Sequence, residues 1–188
     1  MNRRFFKRLM LAGALAPASF FVHCGNVTIQ AHTLYGQWQV YRKKHLLIGC
    51  HREDPRTFEL AKQLEAEFAH HLPAAKARVA RAPHPERLAS LLGTDQLEIA
   101  ILNGDDAVLM AQGKPPFEPY GVLPLTLIGR IADRFLIAHA QLPDHHAWLI
   151  RAAIEDAQLA AGGQDAMLLP LHPGAKLRQD GAPMPKAG

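Results

Sequence analysis

The chain has 188 residues, 48% of them apolar, with 21 Lys or Arg against 17 Asp or Glu and a formal net charge of +4. That size and hydrophobicity suit one globular domain of roughly 100 to 150 residues and exclude a disordered, collagen-like or repeat chain, and two cysteines are too few for a disulfide framework. The charge excess lies in residues 1–22, where Arg3, Arg4, Lys7 and Arg8 stand without an acid; the remaining 17 basic and 17 acidic groups, with only 7% aromatics, leave no electrostatic footprint for nucleic acid.

Met1 to Arg8 form a cationic head, and the apolar run Leu9 to Val22 contains Gly13 and Pro17. This run fits the roughly 7 to 15 residues of a signal-peptide core better than the roughly 20 of a membrane span. Arg3-Arg4-Phe5-Phe6-Lys7 resembles a twin-arginine translocation signal, which implies export of a folded protein to the periplasm; a general secretory signal is the alternative. Ala16-Pro17-Ala18 offers a cleavage site, yet the apolar run continues to Val22, so an uncleaved anchor to the inner membrane stays open. Cys24 follows bulky residues, which argues against lipidation, and spacing alone leaves a Cys24–Cys50 disulfide undecided.

Residues 23–44 form an N-terminal extension in which Tyr35, Trp38 and Tyr41 recur at a helix-like step, predicting a short docking helix. His45 to Cys50 reads as a buried strand that breaks into polar His51-Arg52-Glu53-Asp54-Pro55. From Thr57, the apolar positions Phe58, Ala61, Leu64, Phe68 and Leu72 share one helical face, and Pro73 closes the helix. Ala77 to Ala82 is a second strand, Pro83-His84-Pro85 a turn, and Glu86 to Leu92 a helix ended by Gly93.

Leu97 to Leu102 is a third strand, followed by the helix-capping turn Asn103-Gly104-Asp105-Asp106 and a helix from Ala107 to Gln112 stopped by Gly113. Three strand–helix units in succession predict a doubly wound, mostly parallel sheet in a three-layer α/β fold. After a proline-rich linker, Leu125 to Ile131 and Arg134 to His139 form a hairpin across Ala132-Asp133. A last helix runs from His145 to about Ala160 with Leu149, Ala152, Ala153, Asp156 and Ala157 on one side, ended by Gly162-Gly163. Coil is expected from Leu168, so residues 45–175 make one domain and residues 176–188 a flexible tail.

In such a sheet, ligands sit at the carboxyl ends of the strands, where helix N-termini present free amides. Three loops meet there. They supply His51 and Arg52, then His84, then Asn103, Asp105 and Asp106 as candidate ligand-binding residues, although the same residue types also serve as helix caps. A small polar or carboxylate solute is the expected partner. No Walker loop, G-x-S-x-G elbow, G-x-G-x-x-G or H-E-x-x-H occurs, so no catalytic residue and no cofactor is assigned.

Of the eleven histidines, the pairs His70-His71 and His145-His146 point about 100° apart on a helix, and only Glu67 with His71 has chelating spacing, so no metal site is assigned. Cys50-His51 with His84 is the one softer-metal arrangement worth naming. Adjacent residues on a strand point apart, so Cys50 and His51 do not form a nucleophile–base pair.

The order of elements resembles one lobe of a type II periplasmic binding protein, in particular the TAXI family of TRAP-transporter receptors. The resemblance is carried by Leu97 to Ala107 and, more sharply, by the tail Leu169-Pro170-Leu171-His172-Pro173-Gly174-Ala175, with Gly113 to Phe117 in the family's order. It implies solute binding for a membrane transporter. Family members insert a second lobe between the hairpin and the final helix, where this chain has only Gln141-Leu142-Pro143. The family's glycine-rich turns are replaced by Cys50-His51-Arg52-Glu53-Asp54 and Ala82-Pro83-His84-Pro85, which keeps the backbone farther from a carboxylate. The missing lobe also fits a different class, an accessory or scaffold subunit of an exported redox enzyme. His172, flanked by prolines, is expected to pack rather than bind.

Overall fold

A computed structural model of the protein describes residues 44–161 and 169–186. The leader, Cys24 and the Tyr35-Trp38-Tyr41 segment lie outside these residues. Among the described residues no helix is long and apolar enough to cross a membrane.

The first unit is β1 (Leu47–His51), α1 (Pro55–His71), a 3-10 turn at Pro73–Ala75 and β2 (Arg78–Ala82). The second continues through α2 (Pro85–Gly93) into β3 (Ile99–Leu102), and the third adds α3 (Gly104–Gln112). Helices α1 and α2 start earlier than their apolar periodicity predicts, because a proline at the first helical position loses no hydrogen bond there. Gly113, at φ 61°, caps α3 in the left-handed region, and a Cβ there would lie 2.7 Å from the Gly121 backbone.

The hairpin strands β4 (Leu125–Ile131) and β5 (Arg134–His139) have the expected bounds, with a register shift between Leu127 and Gly129. Helix α4 (Asp144–Asp156) ends before the predicted Gly162-Gly163. Gln158 takes φ 56°, and the Leu159 and Gln158 amides bond back to Ile154 and Glu155, a Schellman closure that turns the chain into β6 (Ala160–Ala161). The buried face of α4 is Ala147, Ile150, Ala152, Ala153 and Ile154, which includes the predicted Ala152 and Ala153 but has Ile150 and Ile154 in place of Leu149 and Asp156.

The six strands lie in the order β2-β1-β3-β5-β4-β6. Strand β1 pairs in parallel with β2 and β3, while β5 runs antiparallel to both β3 and β4, and β6 antiparallel to β4. Four strands therefore point one way and two the other. One apolar layer joins α1 and α4 to the sheet face bearing Ile48, Cys50, Ile99 and Ile101. The other joins α2 and α3 to the face bearing Ala100, Leu102, Leu127 and Ile137. The fold is the three-layer α/β arrangement expected, and β1 and β3 flank the point where the connections change direction.

The C-terminal expectation needs correction. In place of coil from Leu168 and a loose tail after residue 175, Leu171 bridges to Leu127 in β4 and α5 spans Pro173–Gln179. Gly174 permits this, since a Cβ there would lie 2.0 Å from the Asp144 carbonyl oxygen. Beyond α5, the Trp148 indole donates to the Ala182 carbonyl at 3.1 Å, and Arg178 both stacks on that ring and pairs with Glu155 at 2.9 Å.

Candidate functional site at the strand ends

Strand alternation sends Cys50 into the α1/α4 layer and His51 toward the α2/α3 layer. Cys50 is a free, buried thiol, and burial pushes it up to about 11 against the opposing pull of Arg81. It stays protonated at neutral pH, facing away from His51.

His51 ends β1 with 2% of its surface exposed. Its backbone is anchored, because the Thr57 hydroxyl under the loop donates to the Asp54 carbonyl at 2.7 Å and lies 3.4 Å from the His51 amide. The ring is different. Among the described residues, the only buried side-chain polar atoms without a partner are Nδ1 and Nε2 of His51. A buried group left this way costs about 1–3 kcal/mol. Burial pushes the imidazole below its ordinary value, and the carboxylates of Asp54, Asp106, Glu53 and Glu86 oppose that without overturning it. Those four acids come from three separate loops, so the ring marks where the three strand ends converge.

The other candidates are more locally engaged. Asn103 caps α3: its Oδ1 accepts the Asp106 amide at 2.8 Å, and its Nδ2 donates to Asp106 Oδ2 at 2.7 Å. Asp105 is exposed in the same first turn. His84 precedes α2 and lies 2.8 Å from Glu86 Oε2. Arg52 is exposed, and its amide extends the β1–β2 ladder by donating to the Ala82 carbonyl at 3.0 Å. The structure thus brings His51 and Asp106 together and leaves Arg52 and Asp105 on the rim.

Sequence reasoning missed Glu86, whose place two residues after His84 was the available signal, and the pair formed by Asp54 and Arg134. Asp54 caps α1 by accepting the Arg56 amide at 3.1 Å, and its other oxygen accepts from Arg134 Nε at 2.7 Å. Burial raises the Asp54 carboxyl, but the hydrogen bond and charge of Arg134 outweigh it and hold Asp54 below its ordinary value. This pair ties the β1–α1 loop to the start of β5, 80 residues away.

His172 gives the contrast that makes His51 informative. Fully buried, it donates from Nε2 to the Leu142 carbonyl at 2.9 Å and accepts the Gly174 amide on Nδ1 at 3.2 Å. Both nitrogens are used in packing α5, as expected of a structural histidine.

A cavity of about 520 Å³ opens at the opposite, amino ends of β1 and β3, against Leu46, Leu72, Leu149 and Ile150, with His71 and Glu98 among its polar walls. No unpartnered buried polar atom lies there among the described residues. No group of three or more His, Cys, Asp or Glu among the described residues is placed to hold a metal ion. Comparison with known protein families, with curated proteins and with solved structures finds no match.

Proposed function

We propose that this chain is a small-solute-binding module that holds a polar ligand at the carboxyl ends of β1, β2 and β3. The observation carrying this reading is the His51 ring, buried at the switch point with both nitrogens unpartnered while His172 elsewhere in the same fold has both satisfied. A ligand that hydrogen-bonds the ring supplies what the protein does not. The lobe-like order of elements, which resembles half of a type II periplasmic receptor, supports the same reading, and the leader resembling a twin-arginine signal supports a periplasmic setting. In that setting the module hands its solute to a membrane transporter.

The test is native mass spectrometry of the protein purified from its own periplasm, followed by isothermal titration with the co-purifying small molecule. Binding tighter than about 1 mM, about −4 kcal/mol, and loss of that binding in His51→Leu are expected. A protein that carries no solute and binds none above that threshold overturns the reading.

A further inference from the structure

The carboxyl ends of parallel strands usually attract anions, because helix N-termini there offer free amides and the positive end of a dipole. This site is built otherwise. Helix α1 opens with Pro55, which has no N–H, and its next two amides go to Asp54, at 3.1 Å to Oδ1 and 3.1 Å to the carbonyl. Helix α2 opens with Pro85 and places Glu86 in its first turn. Helix α3 spends the Asp106 amide on Asn103 and carries Asp105 and Asp106 in its first turn. Each N-terminus is short of amides and already holds an acid of its own.

The charges that act on the His51 ring are the carboxylates of Asp54, Asp106, Glu53 and Glu86. Most of the nearby cations are committed elsewhere: Arg134 to Asp54 and Asp133, and Arg56 to Glu59 and Asp133, while Arg52 stays exposed on the rim and His84 lies 2.8 Å from Glu86 Oε2. Arg87 donates to Ser90, and Arg81 lies over Phe58. A neutral imidazole has one acceptor nitrogen and one N–H donor; the carboxylates that act on it favour a donor that also carries positive charge at the acceptor nitrogen and disfavour an anionic ligand.

We propose that the site at His51 selects a small organic cation, a ligand presenting a protonated amine or amidine to the imidazole and to the carboxylates of Asp106 and Glu86, rather than a carboxylate. This rests on the solute-binding reading above and names the class of solute. Both ring nitrogens are closed off from solvent, so binding requires a local opening around the ring.

The experiment uses the full chain and three probes of matched length: 1,4-diaminobutane, 1,4-butanediol and succinate. Titration calorimetry reads affinity, and the His51 ring signals in long-range proton–nitrogen NMR spectra, assigned with His51→Leu, read location. The diamine should bind about tenfold or more tightly than succinate, a difference of about 1.4 kcal/mol, and should shift the His51 ring. Asp106→Asn and Glu86→Gln, each checked by circular dichroism for an intact fold, should each weaken the diamine several-fold. If succinate or the diol binds as tightly or more tightly and shifts the same ring, the cation inference fails while the solute-binding reading stands. If the diamine binds but leaves the ring signals unmoved, or no probe binds, the inference fails, and the reading is then judged by the co-purified solute.

Discussion

Replacing His51 with leucine should stabilise the protein, which is unusual for a change at a residue only 2% exposed. The native ring has two buried nitrogens with no partner, and an unsatisfied buried polar group costs about 1–3 kcal/mol. Two such groups cost about 2–6 kcal/mol together; leucine removes that cost and loses up to about 1.5 kcal/mol through imperfect packing, which leaves a net gain of about 0.5 kcal/mol or more. The same substitution at His172 should act in the opposite direction. There it strands the Leu142 carbonyl and the Gly174 amide, which now hold the ring at 2.9 and 3.2 Å, and the loss should be about 2–5 kcal/mol. Urea denaturation followed by circular dichroism at pH 7.5 reads both midpoints, and thermal melts should move by about 2–4 °C per kcal/mol for a chain of this size. A His51→Leu protein that loses stability as His172→Leu does would refute the reasoning, because its ring would then have partners on which the native state depends.

Three further outcomes follow from the same structure. Gly174→Ala should cost about 2 kcal/mol or more, because the new Cβ would meet the Asp144 carbonyl oxygen at 2.0 Å and backbone cannot yield as a side chain can; Gly181→Ala, with φ 72° and nothing within 4 Å, should cost only the backbone strain of about 1–2 kcal/mol, and urea midpoints separate the two. Burial holds His51 and His172 below the ordinary 6.5, so the folded state binds fewer protons than the unfolded chain; stability should be complete above 6.5, fall as the pH drops through it, and fall less steeply in His51→Leu. With its thiol at about 11, Cys50 in a Cys24→Ser protein should react slowly with an aromatic disulfide reagent at pH 8 and rapidly once urea unfolds the chain; fast reaction of that native protein would count against the burial described for Cys50.

Much of the fold was readable because apolar runs and breakers coincide. The hairpin bounds came out as expected, since Ala132-Asp133 interrupts two continuous apolar runs and leaves no freedom in where the turn falls. The C-terminal helix was not readable. Helix α5 is seven residues long, too short to hold itself by propensity, and its cap is a histidine, a residue outside the usual capping set. What stabilises it is tertiary: the backbone fit of Gly174 on Asp144 and the pairing of Arg178 with Glu155. Strand β6, two residues reached through a left-handed glutamine, likewise carries no periodic signal.

The site divides along the same line. That loops after β1, β2 and β3 should meet is a consequence of topology, and topology is legible in the sequence, so His51, Asn103 and Asp106 stand out from residue order alone. Which of them recognises and which merely caps depends on hydrogen bonds that close over short and long separations alike. Asn103 and Asp106 satisfy each other three residues apart, and Asp54 finds Arg134 across 80. His51 and His172 look alike in sequence, each a histidine at the end of an apolar stretch beside polar or proline-rich chain. They differ in what the fold brings to them: Leu142 and Gly174 complete one ring, and the other feels four carboxylates, none of which hydrogen-bonds it. An apolar side chain would fill the second position at lower cost, which is the ground for placing the proposed ligand at this ring, and the carboxylates that act there are the ground for its charge.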